Sequence, residues 1–237
     1  MSLLTKRFPT MMGLLLLIGL IGGFFYYFRS TNTEPPLGIK PDKVRITNIA
    51  DNKFSVSWIT KEPTLGLVEY GIVGEKLATR EGDDRDANDN KPYQTHHVTI
   101  EGLQPSTQYS FRILSGEKLV RFDNKGSPYT TGTGPVIGAM PTSDNLYGSV
   151  TLESRQPVSG ALVYVTLPEA NTASAIVGET GNYAFTLSTI RSNDLRSFVK
   201  YDPAATIASI TVESASAQSV VAVSLVNSAP TPTIVLG

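Results

Sequence analysis

The sequence predicts an all-β protein with an N-terminal transmembrane helix followed by two β-sandwich domains in series. Three observations carry this. A single uncharged apolar run stands near the N-terminus. From Lys43 onward, short stretches rich in Val, Ile, Thr, Tyr and Phe recur. Clusters of Gly, Pro, Asn and Asp separate them, and no long helical periodicity intervenes.

The apolar run, Met11 to Phe28, lies in "KRFPTMMGLLLLIGLIGGFFYYFR" between Lys6–Arg7 and Arg29. As a helix it rises ~27 Å, close to the hydrocarbon thickness of a bilayer. Tyr26, Tyr27 and Phe28 fit an interfacial aromatic belt, while Lys6 and Arg7 favour a cytoplasmic N-terminus and an extracytoplasmic bulk. The rival reading is a cleaved signal peptide. "FFYYFRSTN" lacks a small-x-small cleavage site, and there is no cysteine for a lipobox. Residues 1–29 are therefore expected to be a cytoplasmic tip and a single-pass signal anchor, with membrane lipid as partner through Met11–Phe28. Gly19 and Gly23 have the spacing of a helix-dimer motif, a spacing also common in membrane helices that pack against nothing in particular.

Residues 30–41, "STNTEPPLGIKP", are polar and proline-bearing and read as a linker. The first strand group follows in residues 42–134: "KVRITNI", "KFSVSWIT", "GLVEYG", "YQTHHVTI", "TQYSFRIL" and a weaker "SPYTTG". Phe54, Val56 and Trp58 alternate with Ser55, Ser57 and Ile59, and Tyr109, Phe111 and Ile113 alternate with Ser110 and Arg112. A period of two is what a sheet with one buried face requires. The second group fills residues 135–227: "YGSVTLES", "ALVYVTL", "ASAIVGE", "NYAFTLSTI", "RSFVKY", "ASITVES" and "SVVAVSLV". Each group is long enough to enclose a core. Residues 228–237 close on "APTPTIVLG", a Pro/Thr tail of linker composition that reads as a tether or as the join to a longer chain.

Composition removes several classes of function. Twenty basic and twenty-one acidic side chains nearly cancel, which leaves no electrostatic footprint for nucleic acid. Without cysteine there is no disulfide, thiolate nucleophile or Cys-based zinc site.

The stretch from Lys43 to Gly116 resembles a fibronectin type III domain, of the variant found at the N-terminus of purple acid phosphatases. The matching residues are Trp58 in "SVSWIT", Tyr70 and Gly71 in "PTLGLVEYG", and "HHVTIEGLQPSTQYSFRI". In the last, Leu103, Pro105 and Tyr109 match that family's tyrosine corner. The resemblance implies that the Tyr109 hydroxyl bonds upstream backbone while its ring stays in the core. The second group is similar to the carboxypeptidase regulatory or Cna-B type of transthyretin-like sandwich, through Gly148, Pro157, Gly160, Ala161, Gly181, Tyr183 and Phe185. The structural residues expected to matter are thus Trp58, Tyr70, Leu103, Pro105, Tyr109, Gly181, Tyr183 and Phe185.

Candidate chemistry is sparse. A two-metal phosphatase needs several converging imidazoles and carboxylates. This chain has two histidines, His96 and His97, and strand neighbours point to opposite faces, so they do not share one ion. One face is expected to pack and the other to meet water. "GDDRD", Gly82 to Asp86, matches a phosphatase metal block by its letters alone, with no partner motif before or after it. In the same loop Asp84, Asp86 and Asn88 have the spacing of a calcium-loop start. Asp89 stands where that loop needs glycine and Thr95 where it needs glutamate. The loop reads as a solvated hairpin. A Ser–His–Asp unit has no Gly-x-Ser-x-Gly elbow here. Tyr147, Tyr164 and Tyr201 offer at most a weak sugar platform. Lys200 is the second group's only lysine and lies too late for the internal isopeptide bond of Cna-B domains.

The expectation is a membrane-anchored, non-catalytic surface protein of bacterial type. It has no cofactor or metal and acts in binding, adhesion or spacing toward an unknown protein or glycan partner. The alternative is an accessory, carbohydrate-binding module of an envelope hydrolase system, such as a phosphatase-associated domain without its catalytic domain.

Overall fold

A computed structural model describes residues 10–31, 36–86, 91–226 and 229–237, with α1 side chains described at 13–24. The chain divides into two compact units, residues 1–36 and 37–237. The first holds one helix, α1 (Thr10–Thr31). Among the described residues no helix is long and apolar enough to cross a membrane. The ends of the Met11–Phe28 run lie outside the described side chains, and the span expected there is not shown.

In the second unit the first sandwich contains β1 (Asp42–Thr47), β2 (Phe54–Thr64), β3 (Gly66–Ile72), β4 (Thr79–Gly82), β5 (Tyr93–Ile100), β6 (Gln108–Ser115), β7 (Val120–Phe122) and β8 (Tyr129–Gly132). One sheet has the order β1-β2-β5; the other is β4-β3-β6-β7, with β8 also paired to β6. Phe54, Val56, Trp58, Val98, Ile100, Phe111 and Ile113 are fully buried between them. The period of two in "FSVSWIT" and "YSFRIL" places these side chains on the inner faces.

The second sandwich contains β9 (Asn145–Leu152), β10 (Leu162–Thr166), β11 (Ala173–Ile176), β12 (Asn182–Thr186), β13 (Ile207–Glu213), β14 (Gln218–Ser224) and β15 (Ile234–Leu236). Its sheets are β11-β10-β13-β14 and β12-β9-β15. Leu146, Val150, Val163, Val165, Ala208, Ile210 and Val212 fill the core.

Four expectations need correction. The Pro/Thr tail over residues 228–237 is no free tether in its last part: β15 pairs in parallel with β9, and Ile234 and Leu236 are buried in the core. Burial of Ile234 and Leu236, together with the β15–β9 ladder, offsets the entropy lost in ordering this end of the chain. "RSFVKY" is not a strand. It folds back as a short loop in which Arg191 and Phe198 bridge and the Val199 N–H donates to the Ile190 carbonyl. The linker is structured at its end, where Leu37–Ile39 form a 3-10 turn and the Ser115 hydroxyl donates to the Ile39 carbonyl at 2.7 Å.

The fourth correction concerns β2. Ser55, Ser57 and Ile59 were expected on a solvent face, yet they are 0%, 0% and 7% exposed. The sheet β1-β2-β5 is covered on both sides. Its outer face packs against β10, β11 and β13 of the second sandwich, where Ile59 meets Leu162 and Tyr164 and Ile176 packs against them. The two domains lie sheet against sheet.

Candidate functional site at the domain interface

The interface is built from the polar half of the β2 and β5 alternation. Ser57 Oγ lies 2.9 Å from the Tyr164 hydroxyl. The Asn48 side chain donates to the Ser174 carbonyl at 2.9 Å and accepts from the Ser174 N–H at 2.9 Å. The Thr95 hydroxyl donates to the Gly160 carbonyl at 2.6 Å. Arg45 reaches Glu213 at 2.6 Å and lays its guanidinium over the Tyr164 ring, 4.1 Å from the centroid. At the far end Arg191 holds Asp51 at 3.1 Å and the Pro135 carbonyl at 2.9 Å, which pins the crossover between the domains.

His97 stands at the centre. Its Nδ1 lies 2.8 Å from Asp84 Oδ2 and its Nε2 2.7 Å from Ser174 Oγ. The expectation that one histidine meets water does not hold: His97 is 3% exposed because the second sandwich covers it. Asp84 is fixed in turn by the Thr99 N–H and hydroxyl, each at 2.6 Å. Burial pushes the Asp84 carboxyl up, but the His97 and Thr99 hydrogen bonds outweigh it and hold the group below the usual carboxylate range.

Asp84–His97–Ser174 has the order of a nucleophilic triad, brought together without an elbow motif. The serine is engaged in another way. With Nδ1–H given to Asp84, Nε2 accepts the Ser174 hydroxyl proton. The Thr47 hydroxyl then donates to Ser174 Oγ, and Asn48 Nδ2, whose two protons serve the Ser174 carbonyl and Ser55 Oγ at 2.9 Å, stands 3.2 Å from it. The Ser174 N–H, a natural oxyanion donor, is spent on Asn48. The arrangement is chemically a clamp between domains.

His96 points the opposite way, as strand alternation requires. It is fully buried and stacks on Trp58, with centroids 4.7 Å apart and planes 11° from parallel. Gly66 makes room for the pair, since a Cβ there would sit 2.4 Å from His96 Nδ1 and 2.7 Å from the Trp58 ring. Among the described residues neither His96 ring nitrogen nor Trp58 Nε1 has a hydrogen-bond partner in good geometry, the Asp83 carboxylate standing 3.8 Å from His96 Nδ1. Burial pushes the His96 pKa down to about 4, with the Asp83 carboxylate opposing.

The "GDDRD" loop is no solvated hairpin. Asp83 is 3% exposed, bound by Arg85 Nε at 2.7 Å and by the His97 N–H at 3.0 Å. Arg85 stacks over Tyr93 and donates to the Thr95 carbonyl. A buried carboxylate paired with guanidinium and backbone donors costs less than a bare one. Asn88 and Asp89 of the calcium comparison lie outside the described residues. Among the described residues no group of three or more His, Asp or Glu is placed to hold a metal ion.

Of the structural residues named from sequence, Trp58, Leu103 and Tyr109 are buried in the first core and Tyr70 packs against it. The Tyr109 hydroxyl accepts the Gln104 N–H at 2.9 Å, with Pro105 next in the turn. Tyr183 and Phe185 lie in the second core, and Tyr183 OH meets Thr231 Oγ1 at 2.7 Å. Gly181 turns the chain at φ 82°. Of the three candidate platform tyrosines, Tyr164 is buried in the interface and Tyr201 bonds Asp144, which leaves Tyr147 at 45% exposure.

Two clefts flank the clamp. One, of about 690 Å³, is lined by Asp84, Arg85, Tyr93, His97, Ser174 and Glu179; the other, of about 600 Å³, by Asn48, Asp51, Met140, Phe185, Arg191 and Phe198 among others. The interface residues Asn48 and Ser174 were missed in the sequence, and Tyr164 was singled out there only as a weak sugar platform. No local signal marks them, because each sits in an ordinary strand or turn and acquires its role from the other domain.

The first sandwich is fibronectin type III-like. Residues 41–131 match the family model for the purple acid phosphatase N-terminal domain. No curated protein matches the chain. Among solved structures, a computationally redesigned β-sandwich is 20% identical over 41% of this chain and 96% of its own, with a TM-score of 0.30. The sensor domain of the anti-sigma factor RsgI4 of Pseudobacteroides cellulosolvens is 16% identical over 44% of this chain and 97% of its own, TM-score 0.27. The FN1–FN3 domains of chicken CNTN1 are 15% identical over 75% of this chain and 61% of their own, TM-score 0.31. The carboxypeptidase regulatory or Cna-B likeness of the second sandwich is not shown by these comparisons.

Proposed function

We propose that this chain is a membrane-anchored, non-catalytic extracytoplasmic protein that works by surface binding, adhesion or spacing. The observation that carries this reading is the sheet β1-β2-β5, covered on both faces. A small wet interface leaves domains free to move, whereas this one interlocks apolar and buried polar groups. Two sandwiches joined in this way present their loops at a fixed separation, which suits a module that displays or spaces a partner. The anchor rests on the uncharged run Met11–Phe28 and its basic flanks.

Protease added to intact cells, with any outer layer permeabilised, is expected to remove the sandwiches and spare the anchor. A soluble protein beginning beyond Arg29 overturns the anchor. No turnover of a phosphomonoester is expected with iron, zinc or manganese supplied. Metal-dependent turnover lost in His96→Ala/His97→Ala overturns the non-catalytic reading.

The match of residues 41–131 to a phosphatase-associated domain favours one second reading, an accessory module of an envelope hydrolase system. A glycan array and a pull-down from envelope extract separate the two: a saccharide or a hydrolase as dominant ligand supports the second.

A further inference from the structure

We infer that β14 is a self-association edge, pairing antiparallel with β14 of a second copy of this chain across a two-fold axis at Val221. In the sheet β11-β10-β13-β14 this strand is the outermost. Its backbone phase follows from the ends of the hairpin. The Ser214 N–H donates to the Ala217 carbonyl, the Leu225 N–H to the Thr206 carbonyl, and the register between them is regular. Odd-numbered residues of β14 therefore face β13. Gln218, Val220, Ala222 and Ser224 turn their N–H and C=O groups outward.

Edge strands are usually protected by Lys, Pro, a bulge or a cover. "QSVVAVS" has neither charge nor proline, and its pairing with β13 is free of bulges. Its exposed middle is apolar, with Val220 59% exposed beside Ile207 of β13 at 60%, while polar Gln218, reached by Lys43 of β1 at 3.4 Å, and Ser224 mark its ends. The same outer face is already a docking surface at its other end, where Leu162, Tyr164 and Ile176 meet Ile59. The open half continues an interface that the fold already uses.

The strand is complementary to itself. With the axis at Val221, Gln218 opposes Ser224 and Val220 opposes Ala222 of the other copy. Every outward N–H then meets an outward C=O, and no like charges face each other. Val221 meets its own copy in a non-hydrogen-bonded pair, with Cα atoms about 4.5 Å apart. That separation lies within disulfide range. An isologous contact closes as a dimer and does not propagate.

The natural chain has no cysteine, so each single-cysteine variant carries one reporter. The purified full chain in detergent is oxidised with Val221→Cys and, as reference, with the exposed first-sandwich position Val73→Cys. Several-fold more covalent dimer is expected at 221 than at 73, and adding Val220→Lys should remove the excess. Equal cross-linking at both positions overturns the proposal. Wild-type protein in detergent is also expected to sediment as a dimer and Val220→Lys as a monomer. A wild-type monomer, or a dimer that survives Val220→Lys through the Gly19/Gly23 helix face, overturns it as well. Neither result bears on whether the chain is anchored.

Discussion

His97 Nε2 lies 2.7 Å from Ser174 Oγ, so an imidazole of the first sandwich is held by a hydroxyl of the second. Both groups are almost fully buried; Asp84 holds His97 from within the first sandwich, and Ser174 meets a second first-sandwich group, the Thr47 hydroxyl. Two side chains of the first sandwich thus converge on one hydroxyl of the second.

His97→Gln and Ser174→Ala are each expected to cost roughly 1–3 kcal/mol in denaturant unfolding, the penalty for leaving a buried polar partner unpaired. A double-mutant cycle should give a coupling of about 1 kcal/mol, since the two share one network. Strict additivity contradicts the clamp. Ser174 is also expected to resist a fluorophosphonate probe, because it is buried and its hydroxyl is held between Thr47 and His97. Labelling that requires His97 shows a nucleophile instead.

Arg45 and Glu213 form an asymmetric pair: the Glu213 carboxylate is 1% exposed and the Arg45 side chain 35%. Removing the cation should cost more than neutralising the acid. Arg45→Ala strands a buried carboxylate with Lys43 at 3.8 Å as its remaining cation, an expected loss of about 3 kcal/mol. Glu213→Gln is expected to cost less. Melting of the two variants side by side checks the order, and the reverse order refutes the assignment.

His96 makes the fold acid-sensitive. Its folded pKa is near 4 against 6.5 as the ordinary value, so the unfolded chain binds the proton more readily in this window. Stability is therefore complete above pH 6.5 and falls as pH drops toward 4, by roughly 3 kcal/mol from this group. His96→Leu is expected to flatten the profile at little cost near neutral pH, because neither ring nitrogen has a well-formed hydrogen bond among the described residues to give up. An unchanged acid limb in that variant assigns the sensitivity elsewhere.

Tyr109→Phe removes the acceptor of the Gln104 N–H. The expected loss is about 1 kcal/mol, with the ring packing retained. Urea unfolding of wild type and variant measures it, and identical midpoints show that the hydroxyl contributes nothing.

The sequence by itself determined the cores. Period-two alternation in β2 and β6 placed Phe54, Trp58, Phe111 and Ile113 inside without reference to any other strand, because side chains on a pleated chain alternate whatever lies beside them. The turn before Tyr109 was equally local, written in Leu103, Pro105 and the tyrosine six residues after Leu103. Alternation also separated His96 from His97 correctly. What it leaves open is what each face meets. Ser55, Ser57 and His97 are polar, and a polar face reads as solvated unless the partner that satisfies it is known. For Ser57 and His97 that partner is Tyr164 and Ser174 of the second sandwich, the latter more than seventy residues away from His97, while Ser55 bonds Asn48 and Thr99 of its own domain and is only covered by the other. Burial of a polar group is decided by whether its hydrogen bonds are supplied once water is excluded, and for Ser57 and His97 the docking of the two sandwiches completes them.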